Sequence, residues 1–162
     1  MTAVFSACGR YRHLLDRDVQ LFGIVALLVG INPSTADSSH NDQTIAKDIG
    51  FAKVHGWSRI IKANVFDWIA TDVGELARVP HPASPANREF LAAAAAEAEI
   101  LVPCWGDRAK VPRGLHPQLE ETLMILRGRG KPVVCFGLTA GGDPRHPLML
   151  PYDTALVPFD GC

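Results

Sequence analysis

Short runs that are apolar on both faces alternate along this chain with longer stretches whose apolar residues recur at helical spacing. Ile24–Val29 (IVALLV) is apolar throughout, as expected of a strand covered on both sides. It breaks into Gly30-Ile31-Asn32-Pro33-Ser34-Thr35-Ala36-Asp37, a turn that suits neither strand nor helix. Asp42 reads as the N-cap of a helix to about His55, with Ile45, Ile49 and Ala52 on its face and Gly56 closing it. Arg59–Phe66 (RIIKANVF) reads as a second strand, interrupted near its carboxyl end by Asn64. Thr71-Asp72 can cap a short helix through Leu76, which Pro80-His81-Pro82 ends. Ser84-Pro85, a cap and a helix-starting proline, opens an alanine-rich helix to about Glu99. Ile100–Trp105 is a third strand, in which Pro103 predicts a bulge or a sheet edge. Pro117 opens a helix with Leu119, Leu123 and Leu126 on its apolar side, ended by Gly128 or Gly130, and Val133–Leu138 is a fourth strand. Residues 1–20 carry mixed charge and read as a strand or an irregular arm, either a solvated flank or a donor of Arg10 or Arg12 to a site.

The order β-α-β-α-β-α-β predicts one α/β domain spanning residues 1–162, with a central, mainly parallel four-stranded sheet in a three-layer α/β/α sandwich. In such sheets ligands bind beyond the carboxyl ends of the strands. The polar clusters after Ile31, at Asn64, after Trp105 and after Leu138 would then meet at one rim.

Composition narrows the classes. The chain has 162 residues, enough for a substantial core, and its 48% hydrophobic and 20% charged content is that of an ordinary globule. The longest apolar run is too short to span a bilayer and the start of the chain lacks a secretion pattern, so no membrane association and a cytoplasmic location are expected. A net charge of −1 lacks the basic surplus of a dedicated DNA-binding domain, which leaves a small-molecule ligand or a local basic patch. The four cysteines, Cys8, Cys104, Cys135 and Cys162, form no CxxC pair, so no metal or other cofactor is assigned; Cys104 and Cys135 read as small buried hydrophobes.

The candidate chemistry lies in the strand-end loops. Asn32, Ser34, Thr35 and Asp37 stand at the mouth of a turn built on Gly30 and Pro33; the alternative is an ornate helix-capping loop. Asp42 has a capping reading and a site reading, and Asn64 is either satisfied by a neighbouring loop or offered to a ligand. Trp105-Gly106 ends the third strand. Thr139 opens the loop TAGGDPRHPL, whose two glycines suit an anion or a polar ring edge, and whose Arg145 and His146 are held between Pro144 and Pro147.

The boxes GINPSTADSSHNDQTI, NVFDWIATD, WG and GLTAGGDPRHPLML, with the opening FSACGRYRHLLDR, resemble those of a bacterial and phage family, domain-of-unknown-function family 1643, over nearly the full length. Met149 stands where that family's closing box would carry Tyr; if that Tyr stacks on a ligand, this chain stacks less well. More remotely, Gly30-Ile31-Asn32-Pro33, Asn64, Trp105-Gly106 through Ala109-Lys110, and His146-Pro147 are similar in order to the boxes of the uracil-DNA glycosylase superfamily. That resemblance implies a uracil-DNA-glycosylase-like fold and N-glycosidic hydrolysis of a nucleobase in DNA, a nucleoside or a nucleotide. It gives Asn32 the positioning of water with Asp37 as auxiliary acceptor, Asn64 the base edge, and His146 a hydrogen bond to the base oxygen. Arg145 and the glycine N–H groups would hold a phosphate. Two other readings stay open: a non-catalytic binder of a nucleotide or nucleobase, and a hydrolase or transferase of an unrelated small molecule.

Overall fold

The computed structural model describes residues 2–37 and 39–159; Cys162 lies outside the described residues. Seven strands and three α-helices occur among them: β1 (Thr2–Phe5), β2 (Arg12–Asp18), β3 (Ile24–Gly30), α1 (Gln43–Val54), β4 (Trp57–Asn64), α2 (Asn87–Glu97), β5 (Ile100–Pro103), α3 (His116–Arg127), β6 (Val134–Cys135) and β7 (Val157–Pro158). The architecture is α/β, but the sheet is five-stranded and mixed, in the order β1-β2-β4-β3-β5, where four mainly parallel strands were expected. β3 runs parallel to β4 and β5, while the N-terminal hairpin β1-β2 adds antiparallel strands along β4. The mixed-charge arm is therefore part of the sheet.

That arm hides its strand character because several of its inward positions are charged. Arg12 and Arg17 are almost fully buried, yet each donates to carbonyls of the loop after β3. Arg12 Nη1 donates to Ala36 O at 2.6 Å, and Arg17 donates to Asp37 O and, at 2.8 Å, to Asn41 Oδ1. Buried guanidinium groups are tolerated when their N–H groups find such acceptors. These bonds fasten the loop that β3 feeds.

Period-2 alternation divides the sheet between two cores. Leu27, Val29, Ile61, Ala63 and Leu101 face α2 and α3, against Leu91, Ala94, Leu119, Leu123 and Leu126. Ala26, Leu28, Ile60 and Val102 face α1 and pack against Phe51 and Ala52. A fully buried Leu or Ile side chain contributes ~1.5–3 kcal/mol, so these two clusters carry the fold.

The helices match their sequence signals closely. Asp42 Oδ1 accepts from Ile45 N–H as the cap of α1, and Gly128 caps α3. Ser84 does not cap α2: its hydroxyl and amide both donate to the buried Asp67, whose other partner is His13 Nδ1 at 2.7 Å. The expected short helix is a 3-10 turn over Val73–Arg78, capped by Asp72. Pro103 sits in β5 at the edge of the five-stranded sheet, with only a single bridge, Leu101 to Val133, beyond it. The expected strand Val133–Leu138 shrinks to Val134–Cys135, because Gly137 turns the chain with φ of 85°. No helix among the described residues is long and apolar enough to cross a membrane.

Candidate functional site

The parallel strands deliver three loops to one rim. Beyond β3 and β4 the chain stays paired: Val65 N–H donates to Gly30 O and Phe66 N–H to Ile31 O, both at 2.9 Å. Ala70 N–H donates to Pro33 O at 3.1 Å, so residues 30–33 run beside residues 65–70. After β5, Gly106 takes φ of 84° and donates its N–H to Pro144 O at 2.9 Å, which draws the third loop against the His146 loop.

Two adjoining clefts result, sharing Ile31 and His146. The inner one, of about 50 Å³, is lined by Arg12, Gly30, Asn32, Ser34, Asp42, Thr44, Lys62 and Asn64 besides those two. The outer one, of about 330 Å³, adds Val73, Trp105, Gly106, Lys110, Thr139, Arg145 and Leu150. The outer volume falls at the lower end of small-molecule pockets.

Asn32 is oriented by its neighbours. Its Nδ2 donates to Ala70 O at 2.7 Å and Pro33 O at 3.2 Å, which leaves Oδ1 as the side chain's acceptor. Asn64, 2% exposed, keeps a buried Nδ2 with no hydrogen-bond partner among the described residues. A buried amide in that state is an offer to a ligand or water. Gly30 is needed for space and not for its φ: a Cβ there would come within 2.9 Å of Asn64 Oδ1 and 3.3 Å of Lys62 Cε.

His146 Nδ1 accepts from Leu148 N–H at 3.3 Å, which leaves the proton of the neutral ring on Nε2. Burial, with the charges of Lys62 and Lys110, pushes its pKa down to about 4 against the pull of Asp42. The ring is a neutral donor at neutral pH. The depressed folded pKa stabilises the protein fully above the ordinary value of 6.5 and less as pH falls toward 4, because only the unfolded chain takes the proton in that window. We expect His146→Gln to flatten the acid limb of a stability–pH profile over that interval, by up to about 3 kcal/mol, in urea titrations.

Under the floor lies a buried ion pair, Lys62 Nζ to Asp48 at 2.8 Å, joining β4 to α1. Burial alone would push the Lys62 ammonium down, but Asp48, with Cys104 adding, holds it above its ordinary value. Cys104 Sγ stands 3.6 Å from Nζ, and burial pushes its thiol up to about 11, so it stays protonated.

The other sequence candidates divide. Ser34, Asp42, Asn64, Trp105, Gly106, Thr139 and Arg145 all line one of the two clefts, Asp42 also serving as the cap. Pro33 and Thr35 line neither; the Pro33 carbonyl serves the loop instead. Asp37 does not join Asn32 there: its Oδ1 accepts from the N–H groups of Ser39 and His40 and from the Ser39 hydroxyl, which hold its carboxyl far below the usual range. The Gly142 N–H closes a turn on Thr139 O, and both glycines line a separate groove with Arg108 and Phe159. Of the two arm arginines, Arg12 reaches the inner cleft and Arg10 lies over the Trp68 ring. Lys62 was missed; its signal is a cation that interrupts an apolar run, on the same face as Asn64 two residues later.

The family model described as a protein of unknown function, DUF1643, matches residues 12–148. The chain belongs to the DUF1643 family. Neither a curated protein nor a solved structure matches it. The match takes in every residue of the two clefts of this DUF1643 protein except Leu150. No group of three or more His, Cys, Asp and Glu side chains able to share a metal occurs among the described residues.

Proposed function

We propose that this DUF1643 protein is an N-glycosidic hydrolase of a nucleobase carried by a nucleoside, a nucleotide or DNA, in the manner of the uracil-DNA glycosylase superfamily. The observation that carries the reading is the meeting of Asn32, Asn64 and His146 around one cleft, each with a defined polar atom to offer. The three atoms match what the reaction asks for. Asn32 Oδ1 accepts a hydrogen bond from water and aims its oxygen at the anomeric carbon. Asn64 presents an amide to the base edge. His146 Nε2–H donates to a base oxygen as the glycosidic bond breaks and its electron pair moves onto the base.

An amide is too weak a base to take the water's proton, which passes to solvent as the new C–O bond forms. Rate enhancement then comes from positioning and from stabilising the departing base. Lys62, paired with Asp48, lines the adjoining inner cleft. The base ring fits the outer cleft, against Ile31 and Trp105. A base in duplex DNA would first have to be flipped out.

The test is release of free base. Purified protein is incubated with nucleosides, nucleotides and single-stranded or duplex oligonucleotides carrying normal and deaminated bases, and products are resolved by mass spectrometry. Time-dependent release of one base is the expected result. Binding without release from any substrate would overturn hydrolysis and leave a nucleobase binder.

A further inference from the structure

The inner cleft is richer in donors than a nucleobase edge requires. Arg12, 2% exposed, has its Nη1 fixed on Ala36 O, yet its Nε is buried with no hydrogen-bond partner among the described residues. Asn64 Nδ2 is in the same state on the opposite strand, and Lys62 and the Nε2–H of His146 complete the lining. The N-terminus of α1 also opens on this cleft through Asp42 and Thr44. Its first-turn N–H groups and its dipole favour negative charge there. Across both clefts Lys62 is paired with Asp48 beneath the lining, and three further cations, Arg12, Lys110 and Arg145, face two carboxylates, Asp42 and Asp107. One of those carboxylates is taken up in part by capping α1 and the other by Ala109 N–H.

We propose that the inner cleft binds an oxyanion carried by the ligand, a carboxylate or a phosphate monoester, held by Arg12 Nε, Asn64 Nδ2 and the start of α1, with the Oδ1 of the Asn64 amide left to the base edge. This rests on reading the cleft as the ligand site, and it adds the ligand's charge. Charge-assisted bonds from a guanidinium and an amide in a water-poor site are the strong kind, which explains why two buried donors are left open. On this assignment the preferred substrate is acidic next to the group that is read, and a neutral nucleoside is a poor ligand.

The experiment is calorimetric titration of the full chain with inorganic phosphate and, separately, with acetate, at constant ionic strength in chloride. Saturable 1:1 binding of one ion is expected, and which ion binds distinguishes a phosphate ester from a carboxylate as the natural source. Asn64→Asp is nearly isosteric and places a negative charge beside Lys62; it should weaken that binding by roughly tenfold or more while circular dichroism stays native. Absence of saturable binding of either ion would overturn the proposal, as would equal affinity in the wild type and Asn64→Asp. If that variant does not fold, Thr44→Glu, which brings the charge from α1, gives the same reading. Because Asn64 also faces the base edge, base release is compared in wild type and Thr44→Glu: loss of anion binding with base release retained in Thr44→Glu leaves the hydrolytic reading standing, and the converse holds.

Discussion

Lys62→Met is expected to lower stability by about 3–5 kcal/mol, because it strands a buried carboxylate. Asp48 is fully buried, Lys62 Nζ lies 2.8 Å away, and neither Asp48 oxygen has another hydrogen-bond partner among the described residues. Removing one member leaves a charge in a medium that cannot solvate it, and the protein must either protonate the carboxyl or open a path for water. For a chain of this size the midpoint of thermal unfolding should fall on the order of 10 °C. Replacing both partners, Lys62→Met with Asp48→Leu, should recover most of the loss, since an apolar pair of similar volume avoids the desolvation cost. Urea unfolding of the three proteins decides the matter. A single variant within about 1 kcal/mol of wild type would mean that the pair does not hold α1 on the sheet.

Asn32→Ala is expected to reduce base release by roughly 10²-fold or more while ligand affinity changes by less than about threefold. The asymmetry follows from geometry. The amide nitrogen of Asn32 is committed to Ala70 O and Pro33 O, so the atom at stake is Oδ1, which the proposed reaction assigns to the attacking water. A group that touches only the attacking water acts on the transition state and leaves ground-state binding alone. Losing the two bonds to carbonyls should cost about 1 kcal/mol each of stability, which leaves the protein folded. Single-turnover rates and equilibrium titration with the same substrate separate the two quantities. Equal losses in rate and affinity would make Asn32 a binding contact and remove the water-positioning role.

Much of the fold was legible because local signals and burial agreed. The apolar run at Ile24, the Asp42 cap, the alanine-rich segment and the Leu119-Leu123-Leu126 stripe are each read from residue spacing, and each forms close to where that spacing places it. The N-terminal hairpin was hidden because Arg12, His13 and Arg17 occupy buried positions of β2 that pattern reading reserves for apolar residues. Their acceptors, Ala36 O, Asp67 and Asp37 O, come from segments distant in sequence.

The candidate site shows the same division. Asn32, Asn64 and Trp105 stand out in the sequence because they interrupt or close apolar runs, and His146 because Pro144 and Pro147 flank its place in the loop. Asp37 and the Gly141-Gly142 pair stand out equally, yet the tertiary structure commits them to loop closure and to a separate groove. Arg12 was offered from the sequence only as one of two arm donors and Lys62 was passed over, since only the approach of α1 and β2 brings the first residue of β2 and a lysine of β4 to the same cleft. The sequence by itself determined the α/β alternation, the capped start of α1 and the membership of most rim residues, because these depend on neighbours a few positions apart. The tertiary structure alone decided the mixed sheet, the buried ion pair and which polar atoms remain open, because hydrogen bonds between distant segments set which donors and acceptors are already satisfied.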